Sequence, residues 1–181
     1  KQHLELSRDI AQKFNNDFSC KNFFPLPEPL ISKNISRVMS LRDASKKMSK
    51  SEESDYSRIN LKDNSDEIIK KIKKAKSDSS TIPSNLKDLE KKPEALNLIN
   101  IYSEVSKDSI DKVLGEMSGK EYSYLKNKLA EILVSEIIPV GKEINKLLND
   151  ESYLIKVLQK GKEKASIIAE ENLKNIREKV G

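Results

Sequence analysis

The run Lys47-Met48-Ser49-Lys50-Ser51 sets two ammonium groups three positions apart, with hydroxyls at Ser49 and Ser51. In a flexible segment such a run can fold over a polyphosphate. The lysines oppose its charge while the hydroxyls and main-chain amides donate to its oxygens, which is the make-up of a clamp for a departing anion. The same residue types also describe a solvated Lys/Ser-rich loop, and in a chain with 34 Lys+Arg the run by itself admits both readings. Other chemistries have little material. With one His (His3) and one Cys (Cys20), zinc cages of His and Cys and Ser-His or Cys-His triads lack the converging residues they need. The five glycines form neither GxGxxG nor GxxxxGK[ST].

The elements around the run can be read from periodicity. Leu4, Ser7, Ile10, Ala11, Phe14 and Phe18 keep one face at helical spacing, and Pro25, Pro27 and Pro29 then impose an extended connection. Ser36–Leu41 reads as one strand whose sheet neighbours lie outside this chain, and Arg42–Tyr56 as a solvated loop without period. Asp63 or Ser65 is expected to cap a helix carrying Ile68, Ile69, Ile72 and Ala75. Residues 77–92 read as a polar connection, Pro93 as the first position of the next helix, and Ser109–Leu114 as a short helix closed by Gly115. Two long stripes finish the chain. Leu125 to Leu148 is expected to kink or split near Pro139, and Leu154 to Val180 carries small residues at Gly161, Ala165 and Ala169.

The bulk properties suit such an assembly. A length of 181 residues allows one or two compact units. Charged residues make up 35% of the chain against about 25% in average domains, with a net charge of +5 that agrees with an acidic partner. Apolar residues, at 36%, suffice for a modest core, and no run approaches the roughly 18 apolar residues of a membrane span. A single cysteine and the lack of a secretory segment make the cytoplasm the expected compartment. Three further features have structural readings. The rings Phe14, Phe18, Phe23 and Phe24 suit a core or subunit interface. Cys20 has no acid/base partner in sight, and the basic run Lys70, Lys71, Lys73 and Lys74 reads as a solvated face rather than as contacts to nucleic-acid phosphates.

KMSKS is also the second signature of class I aminoacyl-tRNA synthetases, and its flanks resemble those of the bacterial and organellar tryptophanyl-tRNA synthetases. Lys1–Asn15 is similar to a helix of that family, and Met39–Ser51 to its MSLxDPxKKMSKS block, with Ala44 in place of the usual Pro and Glu52 in place of a frequent Asp. Ile59, Leu61, Asp63, Lys71, Ile72, Ala75, Asp78 and Ser79 fit the pattern that follows. Asn97-Leu98, Ile101-Tyr102, Leu125-Lys126, Leu129-Ala130, Pro139, Gly161 and Lys164-Ala165 continue it.

The resemblance covers the chain and lacks the family's HIGH-type motif, so it implies the C-terminal part of such a synthetase. The fold it implies is mainly α: a remnant of a Rossmann-type α/β nucleotide domain over 1–41, the KMSKS loop and connection over 42–62, and a helical anticodon-binding domain over 63–181. It further implies ATP binding by Val38, through its backbone, and by Lys47, Met48, Ser49, Lys50 and Ser51, with Lys47 and Lys50 in the catalytic role. Mg2+ would arrive with the ATP and no protein metal site is implied. The partners implied are tryptophan, ATP and tRNA(Trp), with a homodimer in the complete enzyme and no membrane. The activation step has a carboxylate attack the α-phosphorus, so charge grows on the departing pyrophosphate and an ammonium placed there acts most strongly in the transition state. This part alone is then expected to be inactive. Two rival readings are a tyrosyl-tRNA synthetase fragment, which shares KMSKS but not these flanks, and a non-catalytic helical tRNA-binding or interaction module.

Overall fold

The computed structural model describes residues 2–30 and 37–181, which are mainly helical and contain no strand among the described residues. The helices are α1 (Gln2–Asp17), α2 (Ser65–Lys73), α3 (Leu86–Leu89), α4 (Pro93–Ser106), α5 (Ile110–Met117), α6 (Tyr122–Leu148) and α7 (Glu151–Val180), with a single 3-10 turn at Asp55–Ser57. The chain divides into two compact units, Asn34–Asp150 and the pair of segments Lys1–Lys33 and Glu151–Gly181.

The unit Asn34–Asp150 holds the main core. Helix α6 packs against α2 and α4, and α4 also packs against α5. Ile68 and Ile72 from α2, Leu98 and Ile99 from α4, Val113 and Met117 from α5, and Leu125 and Leu129 from α6 are all buried between them. The start of α2 is fixed by a reciprocal cap. Asn64 accepts from the Glu67 amide at 2.9 Å and Glu67 accepts from the Asn64 amide at 2.8 Å, an arrangement that satisfies two otherwise orphaned donors. Neither expected cap, Asp63 or Ser65, takes that role, because the Asp63 carboxylate is bound elsewhere. Pro93 does open α4, where its missing N–H would have no helical partner anyway.

Three further expectations are corrected by packing. Helix α5 runs through Gly115 to Met117, since Val113, Leu114 and Met117 all point into the core, and the stop falls at Gly119 with φ +73°. Residues 77–92 are not simply polar: Ile82 and the α3 residue Leu89 are buried, and the Ile82 amide bonds Lys120 O at 2.9 Å. Helix α6 continues unbroken through Pro139, carried by burial of Leu129, Ala130 and Leu133 before it and Gly141 after it. The strand expected at Ser36–Leu41 is absent over the described residues 37–41. Met39 makes only an isolated bridge, and both of its main-chain groups are taken by a side chain from α4.

In the other unit, Phe14 gathers Phe18, Phe23 and Phe24 at ring centroid distances of 4.6, 5.4 and 4.9 Å, so these aromatics stack on one another. Asn15 fastens the following turn by donating to Phe24 O and accepting from Phe24 N, both at 2.9 Å. Helix α7 spans 30 residues with none of them buried.

Candidate functional site

Residues 38–40 and 46–48 form a one-rung antiparallel hairpin, with Ser40 N donating to Lys46 O at 2.9 Å and Met48 N to Val38 O at 3.0 Å. Its turn is closed by Asp43, whose carboxylate accepts from Ser45 N at 3.1 Å and Ser45 Oγ at 2.6 Å. The Ser45 hydroxyl and amide hold the Asp43 carboxyl below its usual range. Ala44, in the position where the family pattern has Pro, is buried at this turn. The run from Lys47 to Ser51 then leaves the hairpin. Met48 packs against the core, while Ser49 and Ser51 share a hydrogen bond at 2.9 Å and Lys47 and Lys50 are exposed.

The base of this loop is pinched shut. Leu41 N donates to Ser57 O at 2.8 Å, and Lys76 N donates to Leu41 O at 2.7 Å, so the loop returns to its starting point on the body of the unit. Leu41, Ala44 and Ser57 are buried, which makes the expected solvated loop a partly packed one. On the approach side, Asn97 of α4 reads the main chain of Met39 like a missing strand, accepting from its N–H at 3.0 Å and donating to its carbonyl at 2.9 Å. That amide explains why Met39 needs no sheet neighbour. On the exit side, Lys71 of α2 is buried with its ammonium 2.6 Å from both Asp55 and Asp63.

Lys71 was expected on a solvated basic face, and the structure corrects that. Its neighbours in the run also have local partners: the Lys74 ammonium lies 4.3 Å from the Tyr56 ring centroid, and hydrogen bonds from Lys70 and Lys74 pull the Tyr56 phenol below its usual range.

Between the hairpin and the segment 58–62 opens a cavity of about 810 Å³, with Val38, Lys47, Met48, Ser49 and Lys50 on one side and Arg58, Ile59, Asn60, Leu61 and Lys62 on the other. Arg37 and Ile144 complete the lining, so five cations and no carboxylate face it. A wall of this sign attracts a polyanion, and its apolar members Val38, Met48, Ile59, Leu61 and Ile144 leave room for a less polar group beside it. Five of the six residues expected from the sequence, Val38, Lys47, Met48, Ser49 and Lys50, line this one cavity, whereas Ser51 lies outside its lining and bonds Ser49. Helix α6 approaches it at Gly141, where a Cβ would lie 2.7 Å from Leu61 O, so only glycine lets this helix back the wall so closely.

A second cavity, beside Ser77–Ser80 and the start of α6, mixes Lys73 and Lys126 with Asp78 and Glu121, and the Lys126 ammonium is already used by Ala75 O and Ser77 Oγ at 2.7 and 2.8 Å. It offers no comparable field. Among the described residues, no group of three or more His, Cys, Asp or Glu side chains comes together for a metal ion.

The site therefore joins a nucleotide-scale cationic cavity to a KMSKS loop that springs from a helical body. Residues 1–136 match the family model of the class I tRNA synthetases (W and Y), and the chain belongs to that family. The relatives it resembles are of the tryptophan branch. It is 48% identical to the tryptophan-tRNA ligase of Caulobacter vibrioides and 46% identical to that of Brucella melitensis, with 100% of this chain covered in each case and 53% and 56% of the relative. The tryptophanyl-tRNA synthetase structure from Mycoplasma pneumoniae superposes with a TM-score of 0.86 at 29% identity, over 99% of this chain and 53% of that one. The chain thus spans about half the length of the relatives it matches, aligning with their C-terminal portion.

Sequence reasoning reached the loop but not the groups that hold it. Arg37, Arg58 and Lys62 carry no motif, and Asn97 acts on a residue 58 positions away. Asp63 was read as a helix cap and Lys71 as part of a solvated face, so neither was expected as the other's partner. For Gly141 the neighbouring Pro139 drew attention instead.

Proposed function

We propose that this chain supplies the KMSKS half of the active site of a tryptophan-tRNA ligase, which activates tryptophan with ATP and transfers it to tRNA(Trp). The observation that carries the reading is the convergence of Val38 and Lys47–Lys50 on one cavity faced by five cations and no carboxylate. In this reading Lys47 and Lys50 oppose the charge that builds on the pyrophosphate, and Ser49 and Ser51 add neutral donors. Val38 meets the adenine edge through its backbone, and its carbonyl, already bonded to Met48 N, couples that contact to the loop. Mg2+ enters as the counter-ion of ATP and neutralises phosphate charge when bound. The attacking carboxylate is already ionised, so no residue here serves as a general base.

The same reading divides the chain into the nucleotide-domain remnant 1–41, the loop and connection 42–62, and a tRNA-facing helical part 63–181. It makes the complete enzyme a cytoplasmic homodimer. The 181-residue chain by itself is inactive, because the loop forms only one wall of the ATP site.

Amino-acid-dependent ATP–pyrophosphate exchange tests this. A protein joining this chain to a preceding half of the length found in its relatives is expected to exchange with tryptophan and not with tyrosine, and the 181-residue chain to exchange with neither. Exchange with tyrosine would favour the tyrosyl enzyme, and none with either amino acid a binding module.

A further inference from the structure

The loop ends one residue before Glu52, and from there a continuous line of polar contacts leads into the core. Arg58 donates from Nη1 to Glu52 O at 2.9 Å, pairs through Nη2 with Asp55 Oδ1 at 2.9 Å, and donates from Nε to Asn60 Oδ1 at 3.3 Å. The other oxygen of Asp55 lies 2.6 Å from the Lys71 ammonium, which is held in turn by Asp63 at 2.6 Å. Asp63 is itself oriented by Asn60, whose main-chain and side-chain N–H groups donate to it at 2.8 and 3.1 Å. The Lys71 and Asp63 side chains are 5% and 8% exposed, so one end of this line is fixed in the core. Arg58, at its other end, lines the cation-walled cavity with Lys47 and Lys50.

We propose that Lys71, Asp55 and Arg58 form a positioning relay that sets where the KMSKS loop stands over the cavity. Lys71 is the fixed post, Asp55 the link and Arg58 the arm that grips Glu52, immediately after Ser51. None of the three needs to touch the reacting atoms. The Lys71 ammonium resists displacement because its pair with the buried Asp63 carboxylate cannot be broken without leaving charge uncompensated in a dry setting. The loop above it, with two exposed lysines, has no comparable constraint of its own. The relay therefore converts the rigidity of α2 into a defined position for Lys50. This inference rests on the phosphate-binding reading only for its effect on rate; the anchoring is a property of the chain by itself.

Two measurements test the two parts separately. Asp55→Asn cuts the link while leaving the buried Lys71–Asp63 pair in place, so the fold is retained, and Lys71→Met removes the post. In the 181-residue chain, Asp55→Asn is expected to raise amide hydrogen exchange over residues 52–58 by about tenfold or more, with α4 and α6 protection unchanged. Unchanged exchange over 52–58 would overturn the anchoring. In the complete protein, Asp55→Asn is expected to slow tryptophan-dependent pyrophosphate exchange by about tenfold, yet by less than about twofold when Lys50 is already alanine, since a residue acting through another loses its effect once that other is gone. The KM for tryptophan should not move. Equal loss in both backgrounds would mean a general structural role and would overturn the relay. A Lys50→Ala protein with full activity would instead remove the phosphate role of the loop, and the amide-exchange result would still decide the anchoring.

Discussion

The middle of the KMSKS loop and its two ends follow opposite rules. Lys47 and Lys50 are exposed cations beside a cavity without carboxylates, and Ser49 and Ser51 bond mainly to each other. The ends, by contrast, are spent on the protein itself: Asn97 saturates the Met39 main chain and Lys71 gathers two carboxylates. Among the described residues, the Lys47, Ser49, Lys50 and Ser51 side chains proposed to meet a ligand make no contact with the rest of the protein that would hold them, and the groups that hold the loop are all engaged. The difference implies that substitutions in the middle change rate with little effect on stability, and that substitutions at the ends do the reverse unless they also move the middle.

The largest expected effect breaks or keeps the first half of that contrast. In the complete protein, Lys50→Ala should slow tryptophanyl-adenylate formation by about 10²–10³-fold, because one charged transition-state donor is worth about 2.7–4 kcal/mol. The KM for tryptophan and the thermal midpoint should stay where they are. Lys47→Ala should act in the same direction, and alanine at Ser49 or Ser51 should cost less. Single-turnover adenylate formation beside a thermal melt reads both quantities. Near-wild-type rates for both lysine variants would leave the loop without its clamp role.

The ends should show the reverse. Asn97→Leu keeps the volume but leaves the N–H and C=O of Met39 without their partner, a loss of about 2–3 kcal/mol that should lower the thermal midpoint by roughly 5–10 °C. Gly141→Ala is smaller. The added methyl meets Leu61 O at 2.7 Å, and the strain, of order 1–3 kcal/mol, is partly offset by the better helix propensity of alanine, worth about 1 kcal/mol. Because Leu61 and Ile144 line the cavity, the same change should raise the KM for ATP. A Gly141→Ala protein with unchanged stability and KM would show that the wall yields without consequence.

These ends also mark where the sequence stops being informative. KMSKS is local: the five residues proposed to carry the chemistry are consecutive, so the candidate site could be read before any fold was known. The helices were legible where one face repeats, as in α1, α4 and α6. What could not be read were partnerships across distance. Asn97 looked like one more polar position on α4, and only the folded chain brings it to Met39. Lys71 sat in a run of four lysines at the end of one short helix, and periodicity cannot tell the one that turns inward when carboxylates on two separate loop segments wait for it. The reading of 36–41 as a strand followed the same limit, since its composition suits an extended segment whether a sheet or a single amide satisfies it. Asp63 was expected to cap α2 for its position alone, and lost that role to Asn64 because its carboxylate is engaged by Lys71 and Asn60.

The smallest prediction separates the two ends from each other. The approach is held by a neutral amide and the exit by charge, so only the exit should respond to pH. Hydrogen bonds from Lys71 and then Asn60 hold the Asp55 carboxyl below its ordinary 3.8. A group with a depressed folded pKa adds stability that is present above its unfolded value and is lost as pH falls through the folded one. For Lys71, burial is the largest influence and works downward, but the hydrogen bonds that it donates to Asp55 and Asp63 together outweigh it and leave the ammonium above its ordinary 10.5. Its contribution is complete below that ordinary value and disappears as pH rises through the folded one. The stability difference between wild type and Asp55→Asn should therefore be flat through neutrality, shrink below about pH 4 and shrink again above about pH 10.5. Its size should be about 1 kcal/mol or less, because Asp55 is 54% exposed and solvent screens the pair. The corresponding difference for Asn97→Leu should not change between pH 4 and 7. Urea unfolding of the three proteins across that series is the measurement: a flat Asp55→Asn difference at both extremes would mean that packing, and not charge, holds the exit of the loop.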